Sequence, residues 1–312
     1  MISVTSVKAY IRQVVIVGLS FTSFIALAND SNSPAPIHLS IKEQPSVGGS
    51  FERIVSAGGS ITEIIHALGL IDRVIAVDSS SLYPLKAQSL PQVGYFRSLG
   101  AEGVLSLNPD LLVAARGAGP EKVLQQIANV GVEVKQFEQS IYTLDSWRDL
   151  VMEIGEFFNT VPAAKTLIKK TISNIQAHRK SRRYQPNSLN AIALLNSGQR
   201  GLTAAGKNTM PDFLFELAEV KNLASNIDGY KPFSQESLAS QKIDLILVPH
   251  HTIEAMGGKE GVCANRSIAY ATAEKCHVYT MDALLLLGLG ARIDQAVKEL
   301  IDQANEIHHH DN

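Results

Sequence analysis

Hydrophobic residues change their spacing repeatedly along the chain. Residues 53–57 are a short apolar run of the kind that forms a buried strand. After Gly58, Gly59 and Ser60, apolar positions recur at Ile61, Ile64, Ile65 and Leu68, which is helical spacing, and Gly69 stands where such a helix ends. The alternation continues with a strand over 74–77, a short helix over 101–107, a strand over 111–115, a helix over 122–130 and a strand over 132–137. Regular alternation of strand and helix predicts a mostly parallel sheet.

Residues 144–181 read differently. Trp147, Leu150, Val151 and Ile154, then Ala164, Leu167, Ile168, Ile172 and Ile175, make one long helical pattern. Pro162 within it either starts a second part or kinks the helix. The basic stretch 178–183 suits a helix C-terminus, and Pro186 ends the pattern. A second α/β unit follows, with strands over 190–195, 243–248 and 277–279 and helices over 210–217 and 291–307. The predicted fold is α/β: two Rossmann-like lobes with mostly parallel sheets, joined by a long connecting helix. The expected boundaries are 52–143 for the N-terminal lobe, 144–185 for the connector and 186–308 for the C-terminal lobe.

The start of the chain is not part of that fold. Lys8 and Arg12 precede an apolar run over 14–25, then Ala26, Leu27 and Ala28 and polar Asn29 and Asp30. This is the layout of a secretory signal peptide over 1–28, cleaved after about Ala28. The competing reading, a membrane anchor, wants a run of about 20 apolar residues. Residues 29–51 read as a flexible leader. Leu284 to Leu289 is the greasiest later run and is far too short to span a bilayer. The reading is therefore an exported protein with no direct membrane insertion.

Composition narrows the partners. Of 312 residues, 45% are apolar and 19% charged, with formal net charge -2, which excludes the basic excess that nucleic-acid binding needs. Two cysteines, Cys263 and Cys276, stand in a chain bound for an oxidising compartment, so a disulfide between them is expected, with two free thiols as the alternative. His277 beside them does not complete a tetrahedral metal set.

The two halves echo each other. Gly94-Tyr95 with Arg97 precedes Glu102 and then Asp110 at the head of an apolar strand; Gly229-Tyr230 with Lys231 precedes Glu236 and then Asp244 at the head of another. In both, the acid lies eight residues before the Asp. This points to two similar lobes facing each other, with a ligand cleft at the carboxyl ends of their strands.

Residues 53–69, Arg-Ile-Val-Ser-Ala-Gly-Gly-Ser-Ile-Thr-Glu-Ile-Ile-His-Ala-Leu-Gly, resemble the opening of cluster A periplasmic binding proteins, whose two lobes are joined by a long helix and which serve importers of haem, vitamin B12 and ferric siderophores. Residues 93–110 and 286–300 resemble the haem-binding branch. That resemblance implies a periplasmic protein that carries ferric haem to an ABC permease and its ATPase, acting as a monomer. It implies Tyr95 as the iron ligand, a hard phenolate oxygen for a hard ferric ion, with Arg97 stabilising the bound phenolate. Tyr230 and Lys231 occupy the matching place on the second lobe, Lys231 suited to a propionate. The loop after the first strand of that lobe has no His, so Asn196 and Arg200 are the candidate contacts there. Glu102 and Glu236 match the acids that dock onto the permease. His250 and His251 follow a strand and read as loop histidines near the cleft. A ferric siderophore or a corrinoid is the alternative ligand; a divalent metal or a secreted α/β enzyme fits less well, because neither a convergent His and carboxylate set nor a Gly-x-Ser-x-Gly turn occurs.

Overall fold

Burial follows the apolar pattern closely in the first half of the chain. In the computed structural model, residues 50–139, 141–196, 201–233, 242–272 and 275–311 are described. The signal-peptide reading, most of the leader, Arg200 and Glu236 fall outside them. The elements in order are β1 (Ile54–Ala57), α1 (Gly59–Ala67), β2 (Val74–Val77), α2 (Leu85–Gln88), α3 (Ala101–Leu105), β3 (Leu111–Ala115), α4 (Glu121–Asn129), β4 (Glu133–Phe137), α5 (Leu144–Phe157) and α6 (Val161–Lys180). Then follow β5 (Asn190–Asn196), β6 (Leu202–Ala205), α7 (Met210–Ala218), β7 (Lys221–Asn222), β8 (Tyr230–Pro232), β9 (Leu245–Pro249), α8 (Gly258–Ala264), α9 (Arg266–Thr272), β10 (Val278–Met281), α10 (Ala283–Leu287) and α11 (Ile293–Asp311).

The first sheet runs β2-β1-β3-β4, all parallel. The second runs β10-β9-β5-β6-β8, with β7 also on β5. The α/β, two-lobed fold is therefore as the pattern predicts, but the second sheet is mixed: β6 lies antiparallel to β5, and β8 antiparallel to β6. The reason is chain length. Only a few residues separate β5 from β6, enough for a hairpin and too few for the crossover that a parallel neighbour requires.

The repeated Asp has a structural role in both sheets. The Asp110 carboxylate accepts the Arg53 N–H at 3.1 Å, and the Asp244 carboxylate accepts the Asn190 N–H at 2.9 Å. The same residues exchange a second bond, Asp110 N–H to Arg53 O and Asp244 N–H to Asn190 O. Each Asp thus clasps the foot of the neighbouring strand and starts the pairing of β3 on β1 and β9 on β5.

The long helical pattern is two helices. Phe158, Asn159 and Thr160 separate α5 from α6, with Asn159 left-handed at φ 55. Pro162 lies in the first turn of α6, where its missing N–H costs nothing. The two helices pack as a hairpin. Their approach needs Gly155, since a Cβ there would come within 2.6 Å of the Ala164 Cβ. The 20-residue α6 spans about 30 Å, while α5 buries Trp147, Leu150, Val151 and Ile154. The largest core cluster joins α1, α5, α6, α7 and α11 with residues of both sheets, and two smaller clusters fill the other face of each sheet. Both sheets belong to one compact unit.

Candidate ligand cleft

Parallel strands deliver their following loops to one edge, and that edge holds a cavity of about 520 Å³. From the first lobe it is lined by Gly58, Gly59 and Ser60 after β1, Ser79 and Ser80 after β2, Ala115 and Arg116 at the end of β3, and Gln139 after β4. The order β2-β1-β3-β4 reverses direction between β1 and β3, and the cavity stands over that switch point. Gly58 has φ 123, and a Cβ there would meet the Ala115 Cβ at 2.6 Å, so only glycine lets the turn into α1 lie against β3. From the second lobe come His251 after β9 and Ala283, Leu284, Leu287, Gly288 and Leu289 after β10.

A buried carboxylate organises the floor. Asp78, fully buried, accepts hydrogen bonds from Gly58 N, Ser80 N, Ser80 Oγ, Ser81 Oγ and Phe96 N at 2.7–3.2 Å. Ser79 N–H donates to Gly94 O at 2.8 Å, and Gly119 N–H to Phe96 O at 2.9 Å. The chain on either side of Tyr95 is therefore tied down, and the phenol is presented at the cavity wall, 45% exposed. Its ring meets Phe96 edge-on at 4.8 Å, and the Arg97 guanidinium lies 4.8 Å over the same Phe96 ring. Tyr95 and Arg97 thus share one wall.

Tyr142, on the loop leading into α5, also lines the cavity. Burial raises its pKa, and the Arg97 charge pulls it partly back. Tyr230, on β8, is 43% exposed, yet the protein around its hydroxyl raises its pKa well above the usual phenol value, and Tyr142 raises it further.

Residues 54–284 match the profile of the family described as periplasmic binding protein. The chain belongs to that family. Among solved structures it is similar to the periplasmic heme-binding protein RhuT from Roseiflexus sp. RS-1 in apo form, at 33% identity and TM-score 0.76, covering 82% of this chain and 98% of that one. It is also similar to the periplasmic heme-binding protein BhuT in complex with two hemes, at 31% identity and TM-score 0.74, covering 83% and 99%. Among curated proteins it is similar to a vitamin B12-binding protein of Photorhabdus laumondii, 24% identical over 294 residues, 93% of this chain and 96% of that protein. The protein is a solute-binding protein and not an enzyme, and its family implies the periplasm.

Several residues singled out by the repeat sit elsewhere in this periplasmic binding protein. Tyr230 and Lys231 lie on the edge strand β8, whereas Tyr95 lies on a loop at the start of a short 3-10 turn. Neither lines the cavity, and nor does Asn196, whose Nδ2 donates to Ala255 O at 3.5 Å. Glu102 is exposed in the first turn of α3. Cys263 and Cys276 are joined by a disulfide with Cα atoms 5.9 Å apart. His251 faces the cavity and His250 does not. No group of three or more His, Cys, Asp or Glu is placed to hold a metal ion among the described residues, and no helix there is long and apolar enough to cross a membrane.

The pattern of the sequence did not point to Gln139, Arg116, Tyr142 or the Leu284 to Leu289 wall. One signal was available. A greasy run directly after a strand end, in a family whose ligands sit at strand ends, marks a ligand wall.

Proposed function

We propose that the protein binds ferric haem in this cleft and delivers it to an ABC importer. The observation that carries the reading is the Tyr95 phenol, held exposed on the wall of a cavity that Arg97 and an apolar set from the second lobe also line. A phenolate oxygen suits ferric iron, and Leu284, Leu287 and Leu289 suit a flat porphyrin face. The names of the two similar solved structures support haem as the cargo. In this reading Tyr95 binds the iron and Arg97 stabilises the bound phenolate. Tyr230, Lys231, Asn196 and Arg200 contact the ligand from the second lobe as the halves approach, and Glu102 and Glu236 dock onto the permease. The carrier works as a monomer.

Tyr95→Phe tests it. The substitution deletes one oxygen from an exposed side chain, so the fold is retained. Hemin titrated into the wild type gives a tyrosinate-type ferric spectrum; the variant loses the charge-transfer band and shifts the Soret maximum. An unchanged ferric spectrum in the variant sinks the assignment.

A corrinoid is the second reading, favoured by the similarity to a vitamin B12-binding protein over nearly the whole chain. Parallel calorimetric titrations with hemin and cyanocobalamin separate the two.

A further inference from the structure

The described residues lining the cavity include Arg97, Arg116 and His251 and no Asp or Glu. The cations are concentrated on the first-lobe wall. Ser60 Oγ donates to Gln139 Oε1 at 3.0 Å, which fixes the Gln139 amide and directs its nitrogen away from that bond. Gln139 Nε2 is buried and has no hydrogen-bond partner. Arg116 stands beside it: its N–H donates to Phe137 O at 2.9 Å, and its guanidinium pairs with Glu138, which does not line the cavity. A guanidinium carries five N–H donors, so that pairing leaves others for a ligand. The Arg97 guanidinium extends to Gly117, the next residue, where its Nη1 lies 2.8 Å from the place a Cβ would occupy.

Thus Arg97, Arg116, Gln139 and Ser60 supply donors to the first-lobe lining of the cavity, and leucines of the second lobe supply apolar lining. An unpartnered buried amide N–H is costly unless an acceptor arrives. Arg97, together with the donors that the Glu138 pair leaves on Arg116, suits an anion on a cavity lining that has no Asp or Glu among the described residues. We infer that this wall is a subsite for the ligand's own carboxylates, so that the cleft takes a porphyrin with its acidic edge against the first lobe and its apolar face on Leu284, Leu287 and Leu289. This deepens and rests on the haem reading. It also names a basis for discrimination, because the corrinoid periphery presents chiefly neutral amides, which use the donors but not the charge.

The test compares ferric protoporphyrin IX with its dimethyl ester, in which both carboxylates are neutral and the iron and ring are unchanged. Both are titrated by Soret absorbance, in the same detergent, into the wild type, Arg116→Gln and Gln139→Glu. The wild type is expected to bind the ester at least about tenfold more weakly than the free acid, as expected for a lost charge-assisted contact. Arg116→Gln narrows that gap by weakening the free acid alone. Gln139→Glu, which replaces that amide donor by a negatively charged oxygen, weakens the free acid and spares the ester. Equal wild-type affinities for acid and ester overturn the subsite while leaving haem binding intact. So does a shift by either variant that is the same for both ligands, since a merely structural role would move them together. If neither porphyrin binds, the haem reading falls, and the subsite with it.

Discussion

Removing the Glu63 carboxylate should loosen the junction between the two halves of the protein. Glu63 lies on α1, on the first lobe, and its side chain is 2% exposed. Arg292, at the start of α11 and 229 residues away, donates its backbone N–H to Glu63 Oε1 at 2.8 Å and its Nη2 to Oε2 at 3.2 Å, with Nε 3.0 Å from Oε1. The guanidinium also stacks 3.8 Å over the Tyr83 ring. Next to this clasp, Trp147 Nε1 donates to Gly290 O at 2.8 Å. Glu63→Ala leaves a guanidinium that is itself only 18% exposed without its partner. Breaking a buried pair this way costs about 3–5 kcal/mol. Asp282, 3.8 Å from Arg292 Nη2, and the Tyr83 face retain part of the stabilisation, so the lower end, about 3 kcal/mol, is expected. At about 2–4 °C per kcal/mol for a chain of this size, the melting temperature falls by about 6–12 °C. Glu63→Gln keeps the shape and one acceptor and should cost about 1–2 kcal/mol.

Burial raises the Glu63 pKa, and the Arg292 contacts only partly offset it. A carboxyl with a raised folded value contributes stability at low pH that is lost as pH climbs through that value. The advantage of the wild type over Glu63→Gln should therefore shrink from the ordinary carboxylate range upward. Differential scanning calorimetry of the single variants, Arg292→Ala and the double variant checks both points. A drop below about 2 °C for Glu63→Ala, or strictly additive single effects, refutes the clasp.

Three further outcomes follow from the same structure. The Cys263–Cys276 bridge closes a 13-residue separation, so replacing both cysteines by serine should cost about 3 kcal/mol, read as a lower denaturation midpoint that reductant no longer affects. Gly58→Ala forces a Cβ onto a backbone at φ 123 and into Ala115; it should cost about 1–3 kcal/mol and also weaken hemin binding, because the turn that moves is the cavity floor. The Tyr184 hydroxyl is buried, donates to Ala218 O at 2.7 Å, and is pushed by burial up to about 12. Since the folded value lies above the unfolded one, its contribution is complete below about pH 10 and fades between about 10 and 12; denaturant titrations across that window should show a shallower decline for Tyr184→Phe.

Local periodicity determined the strands and helices of the first lobe, because a chain that buries one face of each element writes that face at a fixed spacing. It also gave the paired Asp110 and Asp244, whose short-range clasp on the neighbouring strand is the same in both halves. It presented Tyr95 as a glycine-preceded aromatic at a loop, and the fold puts that residue on the cavity wall. The break between α5 and α6 was only half legible: Pro162 marked a start, while Asn159 in a left-handed conformation, an ordinary polar residue in the pattern, made the turn. The antiparallel β6 and β8 were illegible because neither is a buried apolar run: β6 is only half buried and β8 is exposed throughout, whereas the equally short β1 is wholly buried. The same is true of the chemistry. Ser60, Arg116 and Gln139 meet His251 and Leu284 only because the strand order brings separate loops to one edge and the α1–α11 clasp holds one lobe against the other. Spacing along the chain encodes which face is buried; which distant loops share a cavity is decided by the packing of sheets, and no local pattern carries it.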